Sequence, residues 1–172
     1  MRHGTVFWIT GLAGAGKTTI GTALYKKLKQ ESTHTVLLDG DAMRAVFGND
    51  LGYTTEDRFK CSMRYSRLCK LLSDQGIDVI CCTVSMSEKV RKWNRDNIDN
   101  YMEIYVKVDD ETLIMRNQKE LYKNDAANVV GVSIEAQLPS NPHITIINCG
   151  SSEISNHVDI IINEWVKKPR NL

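Results

Sequence analysis

Residues 5–18 read Thr5-Val-Phe-Trp-Ile-Thr-Gly-Leu-Ala-Gly-Ala-Gly-Lys-Thr18, and Ile20, Leu24 and Leu28 follow four residues apart. The first six residues form an apolar run of strand length, and the spacing after Lys17 predicts an amphipathic helix to about residue 30. Between them, Gly11-Leu-Ala-Gly-Ala-Gly-Lys17-Thr18 satisfies G-x-x-x-x-G-K-[ST] in full. A strand, a glycine-rich turn and a helix start in that order make a phosphate cradle. Glycines let the backbone wrap phosphate oxygens, and N–H groups at the helix start bind the anion. Lys17 is expected to reach the β- and γ-phosphates, and Thr18 to offer its hydroxyl to Mg²⁺.

The pattern repeats outward from this stretch. Thr35–Leu38 reads as a second strand and Asp41 to about Phe47 as a short helix. Thr54-Thr-Glu-Asp57 has the form of a capping box. It opens a helix to about Asp74, with Cys61, Tyr65, Leu68 and Leu72 as the expected inward stripe. Gly76 ends it, and Ile77–Thr83 is a near-continuous apolar strand that suits burial on both faces. A helix from Ser87 to about Asn100, a strand over Tyr101–Val108, a helix from Asp109 or Asp110 to about Gln118, a strand over Ile144–Ile147 and a helix over Ser151–Lys168 complete the series. Strand then helix, repeated five times, predicts an α/β fold: a five-stranded parallel sheet with helices on both faces. Residues 119–142 are polar, carry Gly131, Pro139 and Pro142, and show no strong period. So long a connection in a compact domain is expected to act as a lid over a site.

Composition narrows the function. The 172 residues, 42% hydrophobic and 25% charged, are one domain's worth of ordinary globular chain. Lys plus Arg is 22 against 21 for Asp plus Glu, a net charge of +1, so no basic field for nucleic acid is expected. No run approaches the ~20 apolar residues that span a bilayer, and the opening residues lack the features of a signal peptide. A cytoplasmic protein without a membrane partner is the expectation. Cys61, Cys69, Cys81, Cys82 and Cys149 are odd in number and lack C-x-x-C spacing, so they read as reduced, mostly buried thiols. The four histidines are scattered, which argues against a structural metal site.

A second cluster follows the second strand. Leu38-Asp39-Gly40-Asp41 places two carboxylates at the C-terminal end of a parallel strand, the edge where such sheets bind ligands. One acid could hold Mg²⁺ or its waters while the other accepts a proton from an attacking hydroxyl. A helix cap at Asp41 is the competing reading. Arg44, Arg58 and Arg64 come next, each either a clamp on an anionic acceptor or an ordinary solvated charge.

Taken together, the stretches FWITGLAGAGKTTI, LLDGDAMR, DLGYTTEDR, DVICCTVS and RNQKELY resemble the adenylylsulfate kinase family. The resemblance implies a P-loop NTPase fold and transfer of the γ-phosphate of ATP to the ribose 3′-hydroxyl of a small nucleotide, with Mg²⁺. Carried over residue by residue, it implies that Gly11, Ala13, Gly14, Ala15, Gly16, Lys17, Thr18 and Thr19 bind ATP. It places Mg²⁺ at Thr18 and Asp41, with Asp41 also orienting or deprotonating the acceptor hydroxyl. Asp39, Arg44, Tyr53, Arg58, Cys61, Arg64, Ser85 and Val129 would line the acceptor. Arg116 would lie near the ATP base, and Lys119 would steady charge on the transferred group. Members of that family are often dimers, so a homodimer is an option.

The departures fall on the acceptor side. The family's D-R-x-E-N-I-R-R becomes Asp57-Arg-Phe-Lys-Cys-Ser-Met-Arg64, with Cys61 in place of an acceptor-binding Asn. In the lid, the aromatic that stacks on adenine becomes Val129. Each lost contact is worth ~1–3 kcal/mol. This pattern is similar to divergent members of the family from bacterial capsule gene clusters. It therefore implies cytidine 5′-diphosphoramidate as acceptor, since a pyrimidine needs less stacking surface. Adenylylsulfate is the alternative acceptor. A non-catalytic ATP-binding switch, or a kinase for another small hydroxyl compound, are the other readings.

Overall fold

The computed structural model describes residues 3–31, 33–116, 130–131, 133–149 and 153–167. In chain order the elements are β1 (Val6–Thr10), α1 (Lys17–Glu31), β2 (Thr35–Asp39), α2 (Gly40–Val46), α3 (Thr55–Asp74), β3 (Asp78–Thr83), α4 (Glu88–Asn97), β4 (Tyr101–Lys107), α5 (Asp110–Met115), β5 (Ile144–Ile147) and α6 (Ile154–Lys167). The strands form one five-stranded sheet in the order β2-β3-β1-β4-β5. Every pairing is parallel, with Val6 opposite Val79 on one side and Tyr101 on the other. This is the architecture expected from strand–helix alternation.

Burial on both faces explains the apolar strands. One core joins Phe7, Ile9, Ile80, Cys82 and Ile104 to Ile20, Leu24 and Leu28 of α1 and to Val158 and Ile161 of α6. The other joins Val6, Trp8, Val79 and Cys81 to Cys61, Tyr65 and Cys69 of α3 and Val90 of α4. Adjacent strand residues point to opposite faces, so Cys81 and Cys82 lie in different cores. All five cysteines are free thiols, four of them buried.

Thr54 caps α3 as its sequence suggests: its hydroxyl accepts from Asp57 N and donates to Asp57 Oδ2. The expected inward stripe holds at Cys61 and Tyr65 and differs at the two leucines. Leu68 and Leu72 are only half-buried, and the buried positions are Cys61, Ser62, Tyr65, Ser66, Cys69 and Ser73. Small side chains let α3 approach the sheet closely, and bulky leucines fit better at the rim of the contact. Arg116 is the C-cap of α5, which ends at Met115, short of the expected Gln118.

Of the segment expected as a lid, 119–129 and 132 lie outside the described residues, and Lys119 and Val129 with them. The described remainder runs along the loop after β3. Val130 packs with Met86 and Tyr105, Gln137 N donates to Met86 O (3.1 Å), and Glu88 N donates to Gln137 Oε1 (2.8 Å). Ser87 offers no capping hydrogen bond, so Gln137 caps α4 from a distance. Among the described residues no helix is long and apolar enough to cross a membrane.

Candidate active site

The strand ends of β1, β2 and β3 bring the candidate residues to one edge of the sheet. Gly11 to Gly16 form the turn between β1 and α1, and Lys17 opens the helix. Gly14, Thr18 and Thr19 are exposed, whereas Ala15 and Lys17 are buried. Gly16 has φ +93°, and a Cβ there would strike Asn148 Nδ2. That nitrogen donates to Ala15 O (2.8 Å), so Asn148, just past β5, props the turn from behind. Lys17 Nζ donates to Leu12 O at 2.7 Å. Burial lowers its pKa to about 8, against the raising effect of Cys82, Asp39 and Asp41 nearby. The ammonium thus waits inside the turn, where phosphate oxygens can replace a carbonyl.

Asp39 ends β2 with extended backbone (φ −97°, ψ 137°) and caps α2. Its Oδ1 accepts from Asp41 N (3.0 Å) and Ala42 N (3.3 Å), and its Oδ2 accepts from Thr18 Oγ1 (2.7 Å). The cap is therefore Asp39, where the sequence had pointed to Asp41. An extended residue can fold its side chain over the next turn, and a residue already inside the helix cannot. Asp41 stands exposed in the first turn of α2. The hydroxyl beside a carboxylate at this edge is Thr18 with Asp39, a hard-oxygen pair that suits Mg²⁺. No three His, Cys, Asp or Glu side chains group into a metal cage among the described residues. A cation here would complete its shell with phosphate and water, as Mg²⁺ does at nucleotides.

The acceptor-side residues lie on α2, α3 and the loop between them. Tyr53 is half-exposed, with Arg44 over its ring at 4.4 Å and Arg58 at 5.2 Å. Both guanidiniums are also tied to the loop backbone, Arg44 Nη1 to Leu51 O (2.9 Å) and Arg58 Nε to Tyr53 O (3.0 Å). Two guanidiniums fixed over one exposed aromatic ring can hold the phosphates of an anionic acceptor. Arg64 lies apart: it makes a two-pronged ion pair with Asp50 at 2.6 and 2.8 Å. Hydrogen bonds from Arg64 lower the Asp50 pKa. Cys61 is buried and donates its thiol hydrogen to Tyr65 Oη (2.8 Å), which donates to Gly40 O (3.0 Å). Ser85 is buried after β3, its hydroxyl without a partner among the described residues, while its carbonyl accepts from Thr10 Oγ1. Arg116 is half-buried at the end of α5.

Sequence reasoning passed over Asn148 and Tyr65. Asn148 follows β5 with no motif around it. Tyr65 read as part of the apolar stripe, and nothing local marks its hydroxyl as polar machinery.

Comparison with known proteins agrees with this geometry. A family model described as adenylylsulphate kinase matches residues 3–147. Cytidine diphosphoramidate kinase of Campylobacter jejuni is 39% identical over 163 residues, covering 92% of this chain and 95% of that protein. Adenylyl-sulfate kinase of Vibrio vulnificus is 35% identical over 165 residues, covering 92% and 79%. The structure of the Mycobacterium tuberculosis APS kinase in complex with AMPPNP and APS has a TM-score of 0.86 at 26% identity, covering 97% of this chain and all of that one. The matched span carries the phosphate turn, the acid pair and the arginine-flanked tyrosine, so the chain belongs to the adenylylsulphate kinase family and is a phosphotransferase with a hydroxyl acceptor.

Proposed function

We propose that this protein transfers the γ-phosphoryl group of ATP to the ribose 3′-hydroxyl of cytidine 5′-diphosphoramidate, a step in making the phosphoramidate decoration of a capsular polysaccharide. The observation that carries the choice of acceptor is Cys61. At the position where an adenine-binding family member places an Asn, the side chain here is buried and its thiol hydrogen is donated to Tyr65. A base contact is thus replaced by an internal one. The Campylobacter jejuni relative supports the same reading.

In the reaction the 3′-oxygen attacks Pγ, the bond from Pγ to the β–γ bridging oxygen breaks, and ADP leaves. Asp41, exposed on the first turn of α2, takes the hydroxyl proton. Lys17 moves from Leu12 O onto the phosphates, and the N–H groups of the turn hold the remaining oxygens. Thr18 and Asp39 would hold Mg²⁺, which when bound offsets charge on the β- and γ-phosphates. Arg44 and Arg58, packed on the Tyr53 ring, take the acceptor's 5′-phosphates.

A coupled ADP-release assay with Mg-ATP tests the proposal. Cytidine 5′-diphosphoramidate is expected to give a kcat/KM at least tenfold above that of adenylylsulfate. The reverse preference would assign the protein to sulfate activation, with Cys61 as tolerated drift. ADP release that needs no acceptor would point to a switch.

A further inference from the structure

Helix α2 carries Asp41 and Arg44, is capped by Asp39, and has little burial of its own. It is seven residues long and buries only Met43. Tyr65 of α3 touches it at both ends. The hydroxyl donates to Gly40 O at the first residue of α2 (3.0 Å). The ring stacks on Phe47, the C-cap of α2, with centroids 6.1 Å apart and planes 18° off parallel. Cys61, one turn back on α3, donates to the same hydroxyl at 2.8 Å.

A phenol has one hydrogen to give. With the Cys61 thiol supplying a hydrogen to the oxygen, the phenol's own hydrogen is directed to Gly40 O, which has a second lone pair beyond its helix bond. Burial and the contact with Cys61 push the Tyr65 pKa up, so the group stays a donor through the working pH range. Gly40 itself sits close to β3: a Cβ there would lie 3.3 Å from Cys82 O and 3.6 Å from Thr83 Oγ1. The start of α2 is thus held between β3 on one side and the Tyr65 hydroxyl on the other.

We propose that Tyr65, with Cys61 behind it, is a positioning residue that fixes α2 so that Asp41 and Arg44 face the acceptor. The phosphate turn is built on other supports, Leu12 and Asn148, and Asp39, which caps α2 and meets Thr18, is carried by β2. The inference rests on the placement of Asp41 as acceptor acid and holds for either acceptor. It separates two functions of one edge: removing the Tyr65 hydroxyl disturbs the acceptor side and spares nucleotide binding.

The test compares wild type with Tyr65→Phe, Cys61→Ala, the double variant and Asp41→Asn. Phenylalanine keeps the ring on Phe47, so the fold survives, and a melting curve checks this. Steady-state kinetics use cytidine 5′-diphosphoramidate and, in parallel, adenylylsulfate. A fluorescent ATP analogue reports nucleotide affinity, and amide exchange reports residues 40–47 against α1. For Tyr65→Phe we expect kcat/KM for the acceptor to fall about tenfold, because small misplacements of reacting groups are costly. We expect nucleotide affinity to stay within twofold and exchange to quicken in α2 alone. Cys61→Ala should show a smaller loss, and the double variant should match Tyr65→Phe, since the thiol acts only through the hydroxyl. Unchanged α2 exchange, equal losses on the nucleotide and acceptor sides, or additive losses in the double variant would each overturn the inference. Asp41→Asn separates the failures. Full turnover by that variant removes the acceptor-acid reading. A crippled Asp41→Asn beside an unaffected Tyr65→Phe removes only the role of Tyr65.

Discussion

Lys17 is a buried ammonium whose hydrogen-bond partner, Leu12 O, carries no charge, and that makes its proton a reporter of nucleotide binding. Without nucleotide its pKa is about 8, lowered chiefly by burial. Phosphate charges favour the ammonium and raise the value again. Between those two pKa values the complex holds a proton that the free protein has lost. ATP binding therefore takes up a proton above pH 8, and affinity falls as pH rises, approaching about tenfold per pH unit. Calorimetry in two buffers of different ionisation enthalpy should show little uptake at pH 7 and close to one proton at pH 9. Lys17→Met should abolish the difference, and uptake that survives the substitution would place the titrating group elsewhere. The same depression makes the free protein gain stability from this group as pH rises from about 8 towards 10.5, because the unfolded chain then binds more protons. Lys17 and Thr18 were legible in the sequence because the phosphate turn is a local motif with fixed spacing. Asn148 was not, because its partner Ala15 lies 133 residues away and the contact exists only once β5 is in the sheet.

At the scale of elements, the approach of α1 to β3 shows how tightly the phosphate helix is seated. Gly21 is buried in α1, and a Cβ there would collide with Cys82 Sγ, with Ile80 Cγ2 at 3.4 Å and Ile9 Cδ1 at 3.5 Å beyond it. Helix propensity alone favours alanine over glycine by about 1 kcal/mol. Overpacking a filled core costs ~1–3 kcal/mol, and here it outweighs propensity. Gly21→Ala should lower stability in urea unfolding, and adding Cys82→Ala should recover most of the loss by opening the space. A gain in stability from Gly21→Ala alone would show that the contact is loose. Helix α3 carries the matching lesson for sequence reading. Its period predicts Cys61, Tyr65, Leu68 and Leu72 inward; Cys61 and Tyr65 are buried, but Leu68 and Leu72 lie at the edge of the core while Ser62, Ser66 and Ser73 are buried. Hydrophobic period finds a helix. It does not find the side where small size governs the fit.

At the scale of the molecule, the two cores meet at one sheet, and the site occupies the edge where both helix layers open. The strand–helix alternation was legible along the chain. The order β2-β3-β1-β4-β5 was not, since it depends on which strands pair across crossovers. That order matters for function. It puts β1 and its phosphate turn in the middle, Asp39 of β2 on one side and Asn148 after β5 on the other. A ligand held by the turn therefore joins parts of the sheet that are far apart in sequence, and it should stabilise the whole fold. At a concentration 100 times its Kd, Mg-ATP should contribute ~2.7 kcal/mol. For a domain of this size that corresponds to a rise in Tm of about 5–11 °C. Chelating the metal with EDTA should cut the rise. The two acids then separate by charge removal. Asp39→Asn keeps a side-chain oxygen to cap α2 but loses the carboxylate beside Thr18, so its ATP-induced shift should be small and insensitive to EDTA. Asp41→Asn should retain a full, EDTA-sensitive shift while turnover falls at least ~10²-fold. If instead Asp41→Asn loses the EDTA sensitivity and Asp39→Asn keeps it, the metal lies with Asp41, and the pairing of Thr18 with Asp39 is only a brace between α1 and α2.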